Sequence, residues 1–382
     1  MNLYTLYIIC VIVTGRKVRK VTKLEKPPPQ VFTDEVYYPR RVLEELSANG
    51  IDISSWKEAR LMEGKNSARG ATFATQWSEL TNDGKIAVPY SFHSSVLQYE
   101  ADIDSAMINL SKDLGCMEMV KVPFAELLTN SWANGIMFTL ASLTGGGCWS
   151  ALGLAPGFTG SNGDIELFGA KPEWQIISLD SEGCTGNAQP TLQHEVMHAL
   201  GFYHEHQRPD RDDYITLHDD NIDPILLDQF TKLPTSGWSN SEHPFELGSV
   251  MTYCSRCGGN PAMTIKSDGT EWGMHGSVTT TDALQIQWHY CRNRPDFSYK
   301  NSVSCTSADR SGQILNVFTD RLCDNVKDCH GGEDEGTIAA CKNAGGTAPG
   351  GCCNIIVIDS DECTYDREVG EKTHSGVAPD AL

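Results

Sequence analysis

The densest chemistry in this chain lies in one run, His194-Glu195-Val196-Met197-His198-Ala199-Leu200-Gly201-Phe202-Tyr203-His204. On a helix, residues four apart share a face, so His194 and His198 offer two imidazoles to one ion. Gly201 can take a positive φ, which ends the helix and turns the chain. His204 then returns as a third nitrogen ligand. Three protein ligands leave one position open, as a catalytic rather than a structural zinc requires. Glu195 lies on the same turn, placed to take a proton from a water that the ion has acidified. The chemistry implied is metal-assisted hydrolysis.

A helix over 188–200 must carry this run, and the flanking sequence supplies a scaffold for it. Runs of strand texture cover Lys85 to Phe92, Met117 to Phe124, Gly135 to Ala141 and Trp174 to Leu179. Between Val96 and Leu114, the apolar residues Ile103, Met107, Leu110 and Leu114 recur at helical spacing and stop at Gly115, a good C-cap. A further helix is expected over 281–290. Strands mixed with a few helices predict an α+β domain over 70–292. Asn109-Leu110-Ser111 is a glycosylation sequon inside the first of these helices.

The extended HExxHxxGxxH pattern with a later methionine turn is that of the metzincins. The continuation His204-Glu205-His206-Gln207-Arg208-Pro209-Asp210-Arg211-Asp212 resembles the astacins in particular, which carry Glu after the third histidine. Ser249-Val250-Met251-Thr252-Tyr253 is similar to the astacin Met-turn, with Thr252 where members usually have His. This resemblance implies a two-lobed zincin-like domain with a mixed sheet and an active-site helix, its cleft between the lobes. It implies Tyr253 as an extra zinc ligand that moves aside to stabilise the tetrahedral intermediate, and Met251 as an apolar floor under the histidines. Glu205 would meet the new amino terminus after activation. The disulfides implied are Cys116–Cys291 and Cys148–Cys184; Cys254 and Cys257 are extra to that pattern, a CxxC that could suggest redox chemistry or metal and is read as closing a short structural loop. His275, in Gly273-Met274-His275, stands where several astacins have an arginine that favours acidic residues after the cut.

Composition narrows the setting. Residues 1–69 carry 12 Lys and Arg against 8 Asp and Glu, and the rest of the chain 18 against 42. So acidic a body argues against nucleic acid as a partner. Thirteen of the 14 cysteines follow residue 115, which reads as disulfides made in an oxidising compartment. Their number is odd, so one thiol is free or bridges chains, and oligomeric state stays open. Leu3 to Val13 form an apolar stretch too short to span a bilayer, read as part of a signal peptide over 1–15. No later stretch reads as a transmembrane anchor. Residues 16–69 read as a pro-segment, with processing expected at Arg69–Gly70. Astacin precursors commonly block the metal with an aspartate in a Phe-x-Gly-Asp stretch. The match here is Met62-Glu63-Gly64-Lys65, so steric blocking is expected, with Asp52 as the alternative.

Past the catalytic domain, residues 305–341 resemble a low-density-lipoprotein-receptor class A module. That resemblance implies calcium held by Asp324, Asp328, Asp334 and Glu335, with carbonyls from Arg321 and Val326. Such modules have six cysteines and this stretch has four. These could pair as Cys305–Cys329 and Cys323–Cys341. Residues 342–382 form a cysteine-containing tail of no recognised type. Two readings follow. One is a secreted zinc endopeptidase acting on extracellular proteins or peptides. The other is a catalytically silent extracellular protein that binds partners through its terminal modules. The complete ligand set and Glu195 favour the first.

Overall fold

Strand Ile86–Phe92 (β2) reads IAVPYSF, and all seven residues are buried, so it must lie inside a sheet rather than at its edge. It sits in a six-stranded sheet with Asp34–Tyr37 (β1), Met117–Lys121 (β3), Ile136–Leu140 (β4), Cys148–Ala151 (β5) and Gln175–Leu179 (β6), in the order β1-β5-β6-β4-β2-β3. The pairs β2–β3, β2–β4, β4–β6 and β1–β5 are parallel, and β5–β6 is antiparallel. The computed structural model describes residues 34–37, 47–48, 50, 76–143, 147–158, 173–180, 188–234, 243–256, 260–273, 276–322, 326–335, 363–366 and 371–374. All of them fall in the unit Val31–Leu382.

Alternate residues of the sheet enter different cores. Ile136 and Phe138 of β4 join the main core, while Met137 joins a second cluster with Trp149, Trp174 and Ile176 on the opposite face. The main core is covered by the helix Glu100–Asp113, which buries Ile103, Ala106, Met107 and Leu110. It is also covered by the active-site helix, Ala188–Ala199, and by the last helix of the catalytic region, Thr280–Cys291. The first helix is preceded by a 3-10 segment, Ser94–Tyr99, so the expected single helix from Val96 is two elements. Gly115 follows it at φ 68°, and a Cβ there would stand 2.8 Å from the Phe297 ring. Within this helix, the Asn109 amide oxygen accepts from Lys112 Nζ at 3.0 Å.

A second lobe gathers around another apolar cluster, which includes Phe230, Phe245, Met263, Ile265 and Trp272. Its two-stranded sheet pairs Ile215–Leu217 (β7) with Met263–Ile265 (β8). Cys116 and Cys291 are joined by a disulfide across 175 residues. Beyond it, Ser302–Ser304 (β9) pairs with Asn316–Phe318 (β10), and Cys305 is bonded to Cys329. This C-terminal segment is not a bead on a string. Phe318 is fully buried in the main core with Met251, Val196 and Ile286. Farther on, Cys363–Asp366 (β11) pairs with Glu371–His374 (β12). No helix among the described residues is long and apolar enough to cross a membrane.

Candidate metal centre and active site

The active-site helix ends in a Schellman motif. Phe202 N–H donates to Met197 O at 3.0 Å and Gly201 N–H to His198 O at 2.8 Å, with Gly201 at φ 96°. A side chain at that φ is strained, so glycine is what lets the chain reverse here. The reversal carries His204 back against His194 and His198. Their ring centroids lie 4.6 Å (His194–His198), 4.7 Å (His198–His204) and 5.3 Å (His194–His204) apart. All three are buried, and one potential ligand atom from each lies within 4.8 Å of the others. Met251 is buried in the core cluster that also holds Val196 and Met197 of the active-site helix.

The hydrogen bonds decide which nitrogen faces the centre. His194 Nδ1 lies 2.6 Å from Val250 O and His198 Nδ1 lies 2.7 Å from Phe202 O. A carbonyl only accepts, so each Nδ1 carries the proton and each Nε2 presents a lone pair. Those two Nε2 atoms stand 3.0 Å apart in a buried site. Two lone pairs so close repel unless a cation lies between them. Tetrahedral zinc with nitrogens at about 2.05 Å sets its ligands roughly 3.3 Å apart, so the donor set fits that ion. Glu195 is fully buried one residue from His194.

A layer behind the histidines holds them. The Tyr253 ring packs 4.4 Å from His204 and 4.5 Å from His206, centroid to centroid. His206 is fully buried, donates from Nε2 to Gln229 O at 3.0 Å, and accepts from Tyr253 N–H at 3.4 Å. Burial holds its imidazole neutral. The sequence assigned His206 no part in the chemistry; it supports the Tyr253 backbone. Arg208 is 2% exposed and forks onto Glu205 Oε1 (2.8 Å) and Asp210 Oδ2 (2.8 Å). Glu205 thus already has a cation beside it, where the resemblance implied only the processed amino terminus. Burial still pushes its carboxyl up to about 7.

The Met-turn hangs from a helix cap. Asp282 accepts from Ser249 Oγ (2.6 Å), Val250 N–H (3.0 Å) and Thr279 N–H (3.0 Å), and its own N–H donates to Thr279 Oγ1 (3.1 Å). This is the capping box of helix Thr280–Cys291 used twice, once for the helix and once for the turn whose carbonyl orients His194. Thr279-x-x-Asp282 was readable as a capping box, but its hold on residues 249–250 was not.

The sequence profile described as Astacin, a peptidase family, matches residues 74–291, more than half of the chain. The chain belongs to the astacin family. It is 32% identical over 191 residues to embryonic protein UVS.2 of Xenopus laevis, covering 50% of this chain and 30% of that protein. It is 38% identical over 119 residues to zinc metalloproteinase nas-7 of Caenorhabditis elegans, covering 30% of each. The chain therefore spans about a third of the length of the relatives it matches. Among solved structures, it is similar to high choriolytic enzyme 1, a hatching enzyme zinc-protease of Oryzias latipes, with 23% identity, a TM-score of 0.45, and coverage of 59% of this chain and 98% of that one.

Within this astacin, other expected site residues are dispersed or out of view. Cys148 is disulfide-bonded, and its expected partner Cys184 lies outside the described residues. So do Cys257, Cys323, Cys341, Asp324, His275, Arg69 and Gly70, and with them the pairings, the specificity position and the processing site that they carry. Asp334 is fully buried and its Oδ2 accepts from Asp328 N–H at 2.6 Å. Arg321 Nη1 lies 3.7 Å from Asp328 Oδ1, so a guanidinium already faces one carboxylate of the expected calcium set.

Proposed function

We propose that the chain is a secreted zinc metalloendopeptidase that cuts peptide bonds in extracellular proteins or peptides. The observation that carries this reading is the convergence of two Nε2 lone pairs, each fixed by an Nδ1–H···O=C bond, with His204 beside them and Glu195 on the same helix. Zinc, when bound by His194, His198 and His204, polarises the scissile carbonyl and acidifies water. Glu195 takes the proton of the attacking water and delivers it to the leaving amine. Tyr253 gives a hydrogen bond from its hydroxyl to the oxygen that gains charge, its backbone steadied by His206. His275 contributes a weak preference for an acidic residue after the cut, which strengthens as pH falls and the imidazole gains charge.

Secretion is supported by the apolar stretch near residue 10 and by the disulfides at Cys116–Cys291 and Cys305–Cys329. Latency is supported by β1, which belongs to the expected pro-segment yet pairs with β5 in register from Asp34↔Cys148 to Tyr37↔Ala151. Just past β5, Gly153 N–H donates to His198 O at 2.8 Å, so this sheet edge lies beside the metal helix. An extended substrate would add to that edge as a strand, and β1 fills the place. Calcium held by Asp324, Asp328, Asp334 and Glu335 is proposed for residues 305–341, in competition with Arg321.

The test is to convert the precursor by cleavage after Arg69 and expose it to a peptide library with and without a zinc chelator. Cleavage that stops on chelation and returns with zinc is expected. A correctly folded, zinc-loaded protein that cuts nothing would favour the binding-protein reading.

A further inference from the structure

The astacin profile ends at residue 291, but the packing of the core does not. Phe318, 27 positions farther along the sequence, is fully buried in the same cluster as Met251 and Leu192. Its N–H donates to Thr280 Oγ1 at 3.1 Å. Three residues on, Arg321 Nη2 donates to Val278 O at 3.0 Å and also pairs with Asp113 at the end of the first helix. So the segment after the disulfide grips residues 278–280 from behind.

Those residues are the ones on which the site hangs. Val278 N–H donates to Gln193 Oε1 at 2.9 Å, and Gln193 is the neighbour of His194. Gln193 Nε2 in turn donates to Ala106 O at 3.2 Å, tying the active-site helix to the first helix. Thr279 N–H donates to Asp282, Asp282 accepts from Ser249 and Val250, and Val250 O fixes the His194 ring. From Arg321 to His194 there are thus two routes, one through Gln193 and one through the Met-turn, and both start at the 278–280 turn.

We propose that Arg321 is a positioning residue of the metal site, and that the C-terminal segment Asn316–Arg321 is a working part of the catalytic unit rather than an appended module. This rests on the reading of His194, His198 and His204 as zinc ligands. Arg321 touches neither the zinc ligands nor substrate. It holds the turn that sets where His194 Nε2 stands. Groups behind first ligands tune metal affinity by about 10- to 100-fold, and a contact one step farther back belongs at the low end.

The experiment uses the full chain and three variants. Arg321→Lys keeps a cation near Asp113, but its side chain ends one atom short of Nη2, the nitrogen that donates to Val278 O. Lys300→Met is the control: Lys300 Nζ pairs with Asp113 at 2.6 Å, on the same patch, and with Asp320 rather than with the 278–280 turn. Thr280→Val removes the acceptor of Phe318 N–H without changing charge, and gives the reading should the lysine variant not fold. The zinc dissociation constant is measured by competition with a chromophoric chelator, and the cobalt-substituted protein gives a ligand-field spectrum. The metal-free melting temperature reports general stability. Expected is a roughly tenfold weaker zinc constant with altered cobalt bands for Arg321→Lys and Thr280→Val, and a wild-type constant and spectrum for Lys300→Met. Zinc affinity within about twofold of wild type in the first two would overturn the proposal. So would equal losses in all three that track melting temperature. Failure of the wild-type chain to bind one zinc, or binding indifferent to His204→Ala, would instead overturn the metal reading beneath it.

Discussion

Glu246 gives the sharpest test of how charge is arranged behind the site. It is 5% exposed, its Oε2 accepts from Thr279 Oγ1 at 2.7 Å, and its own N–H donates to Glu205 Oε1 at 3.1 Å. The groups facing it are Asp282, Glu205, Thr279 and Thr281, and the nearby guanidinium of Arg208 is engaged by Glu205 and Asp210. Burial first, and then the Asp282 charge, push the Glu246 carboxyl up to about 8, against hydrogen bonds from Thr279 and Thr281 that lower it. In the unfolded chain it titrates near 4.5. The folded state therefore binds the extra proton between pH 4.5 and 8. The stability tied to that proton is complete below pH 4.5 and is lost as pH rises through 8.

Glu246→Gln keeps an acceptor for Thr279 and cannot ionise. At about 1.4 kcal/mol per pH unit, the gap sets a ceiling of about 5 kcal/mol, and relaxation around a buried charge brings this to roughly 2–3 kcal/mol. For a region of this size, that is a rise in melting temperature of roughly 4–12 °C. The assay is thermal unfolding at pH 5, 7 and 8.5, made in a Glu195→Ala background so that self-digestion cannot intervene. The variant should match its parent at pH 5 and exceed it by a margin that widens to pH 8.5. A margin independent of pH, or a less stable variant at pH 8.5, would refute the reasoning.

Glu195→Ala should abolish peptide cleavage and leave one zinc bound, measured by metal analysis beside a peptide assay; full activity in the folded variant would end the general-base assignment. Replacing both Cys116 and Cys291 by serine should lower unfolding free energy by up to about 5 kcal/mol, since the bond closes a 175-residue loop, and a loss under about 1 kcal/mol in urea titrations would contradict that. Calcium should raise the melting temperature of the full chain only slightly, because Arg321 already faces Asp328, and no shift at millimolar calcium would remove the calcium proposal. A precursor carrying Arg69→Ala should be poorly active whether or not Asp52 is also replaced, and activity appearing only with Asp52→Ala would replace steric blocking by a carboxylate block.

What the sequence made legible was local, and what it hid was carried by distant partners. His194 and His198 are paired by helix periodicity alone, and Gly201 marks the reversal because only glycine adopts its φ cheaply. The strand from Met117 was readable, but it stops at Lys121 rather than Phe124: Val122-Pro123 follows, and proline has no N–H for the ladder. The short β5, CWSA, is buried on both faces and so shows no alternation to read. Its pairing with β1 joins residues more than a hundred positions apart, and no periodicity encodes that.

Phe318 is the clearest case of hidden information. It stands in a polar stretch, Asn316-Val317-Phe318-Thr319-Asp320-Arg321, which on composition belongs to a small acidic module. Beyond the Cys116–Cys291 disulfide, the Phe318 ring is buried in the main core, in one cluster with Val278 and Ile286. There Arg321 Nη2 donates to both Asp113 and Val278 O, and Nη1 faces Asp328. A boundary drawn at residue 292 from family resemblance would therefore remove Phe318 and Arg321, the groups that hold the 278–280 turn from behind. The same turn leads into the cap at Asp282 that holds Ser249 and Val250, so a chain truncated there would keep the cap that backs the Met-turn and lose the contacts that hold the cap's own turn in place.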